Sequence, residues 1–420
     1  MLRWVLIFWV FLMGAISYLD RVNISIAGSA VQKDFGITDV EMGWVFFAFV
    51  IGYALFQTPG GRLADRFGPR KVVTIGVLWW SVFTTVTALV PTGFGFSLWL
   101  LVSVRFLLGI GEAVIYPASN RLVASWIPTT ERGVANGLIF AGVGMGAGVT
   151  PPLITYILIN WGWHWSFYVS ALIGLAAGIG WHLLARDTPQ THPLIKQKEL
   201  KHIEAGIPPA APTSKGKTVL PWGTILGSKD ILFITLSYFA YGYMAWIFFT
   251  WFFRYLNVAR GMDLKSSAIF SMLPFLAMAG CSPLGGWIAD VLTKRFGKRI
   301  GRCGIGVVGL GAAAVFVALA TQVESARLAS ICLALGVGAQ YLAQSSYWAV
   351  TADIAGPSAG SVSGLMNMGG QLGGALTSIL TPIIARDYGW TASFMAAAVL
   401  CAIGSISWLM VDPNARLRSE

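Results

Sequence analysis

The sequence predicts an all-α integral membrane protein with twelve transmembrane helices in two six-helix halves. Three observations carry that expectation. Of 420 residues, 56% are hydrophobic and only 11% charged, whereas soluble chains carry about a quarter charged residues. A water-soluble globule of this composition would lack polar surface. The mean hydropathy is +0.69, and disorder is excluded because it needs few apolar residues. Finally, a glycine-rich, basic stretch after the second predicted span returns after the eighth. The net charge of +11 leaves nucleic acid, anionic lipid and anionic substrates open until its distribution is known.

Crossing the hydrocarbon core takes about 20 apolar residues. Windows of that kind fall at 4–30, 42–62, 72–91, 97–125, 133–159 and 165–186, and again at 230–256, 267–290, 303–321, 327–352, 358–385 and 390–411. The first is too long for a signal-peptide core, contains Asp20 and Arg21, and lacks a clear cleavage site. It is read as span 1. The expected organisation is a six-helix half at 1–186, a cytoplasmic linker at 187–229 and a second six-helix half at 230–420. The linker is rich in proline and lysine, with room for a short amphipathic helix at 195–205. Cys281, Cys303, Cys332 and Cys401 stand singly in or beside apolar segments and read as small hydrophobes rather than disulfide partners or ligands.

Lys/Arg counts set the orientation. The connection between spans 2 and 3, the linker and the connection between spans 8 and 9 together hold sixteen; the opposite connections hold about six. Both termini are therefore expected in the cytoplasm. The basic charge is a topogenic signal spread over separate loops, which disposes of nucleic acid as a partner.

The repeat pairs Gly60-Gly61-Arg62-Leu63-Ala64-Asp65-Arg66-Phe67-Gly68-Pro69-Arg70 with Gly285-Gly286-Trp287-Ile288-Ala289-Asp290 and its following basic run. This arrangement resembles the loop signature of the major facilitator superfamily, whose fold consists of two six-helix halves. The resemblance makes Gly61, Asp65, Arg66, Gly68, Arg70, Gly286 and Asp290 conformational-switch positions. A loop that was merely topogenic would not require an aspartate at the same register in both copies.

Charges inside spans are costly, roughly 2.5–3.5 kcal/mol each at the centre on insertion scales. Span 1 nevertheless holds Asp20 and Arg21, and span 4 holds Arg105 and Glu112. Adjacent helical residues point about 100° apart, so Asp20 and Arg21 face different directions. Arg105 and Glu112 lie two turns apart on one face, roughly 10 Å from each other. A carboxyl that can be neutralised beside a cation that cannot suits proton-coupled anion binding. The competing reading is a static ion-pair network tying spans 1 and 4 together.

The run from Arg105 through Gly109, Gly111, Glu112, Tyr116-Pro117 and Asn120-Arg121, with Tyr18-Leu19-Asp20-Arg21 and Gly364-Leu365-Met366-Asn367, resembles the anion:cation symporter family. That family includes bacterial hexuronate, galactonate, glucarate and phthalate permeases and the sialins. The resemblance spans essentially the whole chain. It implies import of a small organic anion, coupled in bacterial members to protons, with no other cofactor. By position, Arg21 would bind a substrate carboxylate. Asp20 and Glu112 would be the proton-linked carboxyls, with Arg105 coupling them to alternating access.

Neutral polar residues populate the other half. Asn367 and Gln371 share a face of span 11, and Gln340, Gln344 and Tyr347 a stripe of span 10. Tyr243, Trp246 and Thr250 recur at helical spacing in span 7, while span 2 adds Tyr53 and Gln57. Singly, each serves helix packing as readily as ligand contact. As a converging set they favour a polyhydroxylated or aromatic acid, and Tyr53, Tyr243, Trp246, Gln340, Gln344, Asn367 and Gln371 join Arg21 as substrate-binding candidates. Val143, Gly242-Tyr243 and the Asn367/Gln371 pair depart from the sugar-acid permease pattern, which leaves the particular acid open. Glutamate carriers of the family it resembles use an additional span 7 arginine, and no cation occupies the centre of span 7 here, which disfavours glutamate.

The expectation is a monomeric bacterial inner-membrane symporter of a carboxylate such as a hexuronate, aldonate or aldarate. The alternatives are an organic anion/phosphate exchanger of the same fold and, from another class, a non-transporting receptor. Neither a metal-ligand spacing nor a nucleophile–base arrangement marks an enzyme. The glycine patterns at 142–147 and 309–314 sit inside apolar helices and serve packing, not dinucleotide binding.

Overall fold

The computed structural model describes residues 1–128, 132–206, 222–355 and 359–415. The chain divides into two compact units, Met1–Thr213 and Ser214–Glu420.

In the first unit, α1 (Leu2–Phe35) and α2 (Asp39–Phe67) are followed by α3 (Pro69–Leu89). Thr38 and Glu41 form a reciprocal capping box that starts α2. Between α2 and α3 the expected basic loop shrinks to one residue, Gly68, whose φ of 83° favours glycine. Arg70 closes this turn: its amide donates to Asp187 at 2.8 Å, and its guanidinium donates to the His182 carbonyl at 2.9 and 2.7 Å.

Span 4 differs from the expected continuous helix. It is α4 (Ser97–Glu112) and α5 (Ile115–Trp126), separated by a short turn. Pro117 has no N–H to offer the Ala113 carbonyl, so the ladder is interrupted just after Glu112. Helices α6 (Arg132–Trp161) and α7 (Trp163–Leu184) complete the bundle. Helix α1 packs on α6 and α7, α2 on α4, and α3 on α7.

The expected linker helix is α8 (Gln197–Gly206). It is docked: Glu199 accepts the Leu2 and Arg3 amides at 2.9 and 3.1 Å and pairs with the Arg3 guanidinium at 3.4 Å. A remote carboxylate thus satisfies two of the orphan N–H groups at the start of α1. Burial raises the Glu199 pKa, but the Leu2 and Arg3 amides together with the positive charges of the N-terminal amine and Arg3 outweigh it and hold the carboxyl below the usual glutamate range.

The first described element of the second unit is a short helix not anticipated from sequence, α9 (Trp222–Gly227). Its Ile225 is buried with Ile231 and Val362. Helix α10 (Lys229–Thr250) runs on through α11 (Phe252–Arg254) and a π-turn at Tyr255–Ala259. Helix α12 (Leu264–Phe296), capped by Asp263, ends at Gly297, whose φ is again 83°. A π-turn at Arg299–Gly304 leads into α13 (Ile305–Gln322). Span 10 is also broken, into α14 (Ala326–Leu342) and α15 (Gln344–Ala355).

The last stretch, α16 (Ala359–Leu409), contains a non-helical residue, Gly389, with φ 84° and ψ 162°. Ser393 Oγ donates to the Thr381 carbonyl at 2.9 Å. Twelve residues of straight helix would separate them by about 18 Å, so the chain folds back here. Among the described residues, eleven helical stretches are long and apolar enough to cross a membrane, and this last one supplies two crossings. The twelve-helix, all-α expectation therefore holds. In this unit α10 packs on α16, α12 on α14, and α13 on both α14 and α16.

Candidate functional site

The first unit buries all four intramembrane charges. Asp20, Arg21, Arg105 and Glu112 are between 0% and 4% exposed. Sequence spacing placed Arg105 and Glu112 on one face of span 4, but two turns of helix keep them apart. Glu112 instead reaches α1, where its Oε2 accepts Arg21 Nε at 2.7 Å and Ser17 Oγ at 2.7 Å. Ser17 lies one turn before Arg21, so a single stretch of α1 supplies both donors. The interruption of span 4 immediately after Glu112 leaves this carboxylate at the end of α4.

Aromatic rings enclose the cation. The Arg21 guanidinium carbon lies 4.2 Å from the Tyr53 ring centroid, 4.5 Å from Tyr18 and 5.4 Å from Phe49. Phe49 also faces Arg105, at 5.0 Å. Such ring faces attract cations and keep water away from them. Several polar atoms in this enclosure have no hydrogen-bond partner: both Asp20 oxygens, Glu112 Oε1, Arg21 Nη2, and Arg105 Nε and Nη1. Asp20 interacts electrostatically with Glu112, Arg105 and Arg21 without bonding to any of them. Unmet charged atoms buried this deeply are costly.

The structure thus brings Tyr53 to Arg21, together with Asp20, Arg105 and Glu112. Ser17 and Phe49 were not singled out from sequence. Both were within reach of it, since Ser17 precedes Arg21 by four residues and Phe49 precedes Tyr53 by four.

The candidates of the second unit are dispersed over its packing. Gln340 is fully buried, and its amide donates to the Tyr241 carbonyl at 2.6 Å. Tyr243 is buried and meets the Thr377 and Thr381 hydroxyls of α16. Trp246 is buried edge-on against Phe249 at 5.7 Å. Gln344 is half-buried and donates to the Tyr238 hydroxyl at 3.3 Å. Asn367 and Gln371 are half-buried on the shared face expected of them, and Gln371 Oε1 has no partner.

Behind Gln344 stands a tyrosine cluster that sequence reading did not anticipate. Tyr238 stacks on Tyr241 at 5.1 Å, and Tyr347 meets both at 4.7 and 5.6 Å. Tyr341 adds a further contact to Tyr241 at 5.3 Å.

Of the switch positions, Asp290 pairs with Arg302 at 2.8 Å within its own unit, and Lys298 pairs with Asp353 at 3.1 Å. The Asp290 side chain is 60% exposed, so its pair is weak. Gly61 and Arg66 lie in the last turns of α2, Gly68 and Arg70 shape the turn described above, and Gly286 faces Ser345. The side chain of Asp65 lies outside the described residues.

The Major Facilitator Superfamily profile matches residues 10–378. A probable sulfoacetate transporter of Cupriavidus necator is 35% identical over 408 residues, covering 96% of this chain and 92% of its own. A probable galactarate/D-glucarate transporter of Bacillus subtilis is 31% identical over 422 residues, covering 97% and 90%. Among solved structures, an inward-facing bacterial homologue of the human lysosomal transporter Spinster superposes with a TM-score of 0.79. That match covers 97% of this chain and 96% of the other at 16% identity, and it speaks to the fold alone.

Proposed function

This chain belongs to the major facilitator superfamily and is a multi-pass membrane transporter, and from that premise we propose that it imports a small organic anion together with protons by alternating access. Its relatives carry names of anion and sugar-acid transporters rather than of enzymes.

One observation carries the coupling: Glu112 occupies the guanidinium of Arg21. While ionised, Glu112 takes the place that a substrate carboxylate would need. A proton on Glu112 cancels the attraction and releases Nε, which with the unpartnered Nη2 offers two donors to an incoming carboxylate. Loss of that proton on the other side restores the ion pair and expels the anion. Competition for one guanidinium therefore links each anion to a proton. Tyr53 and Tyr18 hold Arg21 in place through their ring faces. The distribution of basic residues favours both termini in the cytoplasm, and inward transport is the direction that the resemblance to organic-anion permeases implies.

The test is flux into proteoliposomes under an inward proton gradient, with anions preselected by thermal shift from hexuronates, aldonates, aldarates, sulfoacetate and aromatic carboxylates. Glu112→Gln is expected to abolish pH-driven accumulation while retaining counterflow exchange. Full accumulation by this variant would overturn the coupling role.

A further inference from the structure

The segment that follows α7 joins the two halves, yet its described part is built into the first unit. His192 is the centre of that arrangement and is 5% exposed. Its amide donates to the Pro189 carbonyl at 3.1 Å, and its own carbonyl accepts the Ile195 amide at 3.3 Å. In the ring, Nε2 lies 2.9 Å from the Leu184 carbonyl, and Nδ1 accepts the Leu194 amide at 3.1 Å. The ring also meets Trp126 edge-on at 5.7 Å, and the Trp126 indole donates to the Arg186 carbonyl at 3.0 Å. One side chain thus ties together the end of α5, the end of α7 and the turn that leads to α8.

These partners fix its protonation state. A carbonyl only accepts, so Nε2 carries the proton; an amide only donates, so Nδ1 must offer a lone pair. The bonded form is the neutral imidazole. A second proton, on Nδ1, would set two N–H groups against each other in a buried place, and burial itself disfavours the charged ring. The end of α7 favours a cation, but the neutral ring already makes that bond. The charged and titratable side chains on the elements around the ring are Arg121 on α5, His182, Arg186 and Asp187 at the end of α7, and Lys196, Lys198, Glu199, Lys201, His202 and Glu204 in or beside α8. Each carboxylate among them is engaged elsewhere: Asp187 accepts the Arg70 amide, Glu199 the start of α1, and Glu204 the Gln190 side chain at 3.0 Å. Histidine ordinarily changes charge between pH 5 and 8. Glu199 stays ionised over that range, because its carboxyl lies below the usual glutamate range despite burial.

We propose that His192 is a pH-sensitive latch: neutral, it holds the linker turn against the first unit and keeps Glu199 on the start of α1; protonated, it releases both. The pH of the compartment that holds the linker then sets how firmly α1, the helix of Ser17 and Arg21, is capped. The latch is independent of the proton on Glu112 and of the anion transported, so it stands or falls apart from the coupling proposed above.

The experiment is amide hydrogen exchange on the full chain in detergent micelles, from about pH 8 to about pH 5.5, with each rate corrected for its intrinsic pH dependence. The Leu194 amide reports the histidine bond, and the Leu2 and Arg3 amides report the distant cap. Protection at all three is expected to fall about tenfold on acidification, while amides in the middle of α3 keep theirs. His192→Gln keeps a donor and an acceptor without a titrating proton, and its protection should stay flat over the range. His192→Arg carries a permanent charge and should exchange at pH 8 as wild type does in acid.

Flat protection in wild type, the same pH dependence in His192→Gln, or release confined to Leu194 while Leu2 and Arg3 stay protected would overturn the latch. The wild-type titration and His192→Gln decide the outcome even if His192→Arg fails to fold.

Discussion

Spans 4 and 10 occupy corresponding places in the two halves, and both are broken near the middle, yet they bury opposite kinds of residue. Span 4 holds Arg105 and Glu112, and its interruption is explained by Pro117. Span 10 holds Gln340, Gln344 and Tyr347. It breaks without a proline at Ala343, where the ladder tightens so that Ala343 donates to Gln340 and Ser346 donates to Ala343. In the first unit the polar atoms concentrate around one cation and several remain unmet. In the second, the polar groups of span 10 are neutral: some are consumed by packing, as in Gln340 on the Tyr241 carbonyl and Ser237 against the Tyr347 hydroxyl at 2.7 Å, while Gln340 Oε1 and Gln344 Oε1 have no partner. One repeat can thus serve two purposes, a cluster of buried charges in one half and a neutral polar interior in the other.

That contrast can be broken at Arg21. Arg21→Ala removes the cation and leaves Glu112 buried alone, a loss of about 3–5 kcal/mol in comparable pairs. Anion binding measured by thermal shift should fall more than a hundredfold; unchanged affinity would transfer the carboxylate site elsewhere. A smaller effect is expected from Tyr53→Ala, which removes the ring nearest the cation. The contact is worth up to about 2 kcal/mol when desolvated, so KM should rise roughly tenfold. Tyr53→Phe keeps the ring face and should stay closer to wild type.

In the second unit the expected response is stability rather than affinity. Gln340→Ala deletes one buried hydrogen bond worth about 1 kcal/mol. It should lower the melting temperature while leaving KM nearly unchanged. A large KM change without loss of stability would overturn the packing role of Gln340.

The smallest effect concerns the linker. Glu199→Ala uncaps α1 at a cost of about 1 kcal/mol. Because the folded-state carboxyl is held below the usual glutamate range, its contribution is complete above that range and is lost as pH falls through the depressed folded value. Wild type and Glu199→Ala should therefore differ in melting temperature at neutral pH and converge in acid.

How much of this was legible in sequence depends on the kind of feature. Asp20, Arg21, Arg105 and Glu112 stood out because a charge in a hydrophobic span is costly wherever its partner lies. Tyr53 emerged as a candidate from helical spacing, and the amphipathic pattern at 195–205 marked α8. An ion pair between spans 1 and 4 was one of the readings the sequence offered, and Arg21 with Glu112 forms one; which residues pair was not legible, because spacing along one helix suggested Arg105 as the neighbour of Glu112. Nor was the docking of Glu199 on α1, since an amphipathic pattern identifies a covered face without saying what covers it. The tyrosine cluster escaped notice because aromatic residues in spans are too common to single out by composition.

By itself the sequence determined the membrane setting, the twelve crossings, the internal repeat and the identity of the four costly charges. Each is a property of a residue or a short window measured against the bilayer. Only the tertiary structure decided that Glu112 rests on Arg21, that Asp20 and Arg105 remain unmet, and that Gln340 serves packing. Those outcomes depend on the rotation and height of helices distant in sequence. Side-chain packing sets these relations, and no local pattern encodes them.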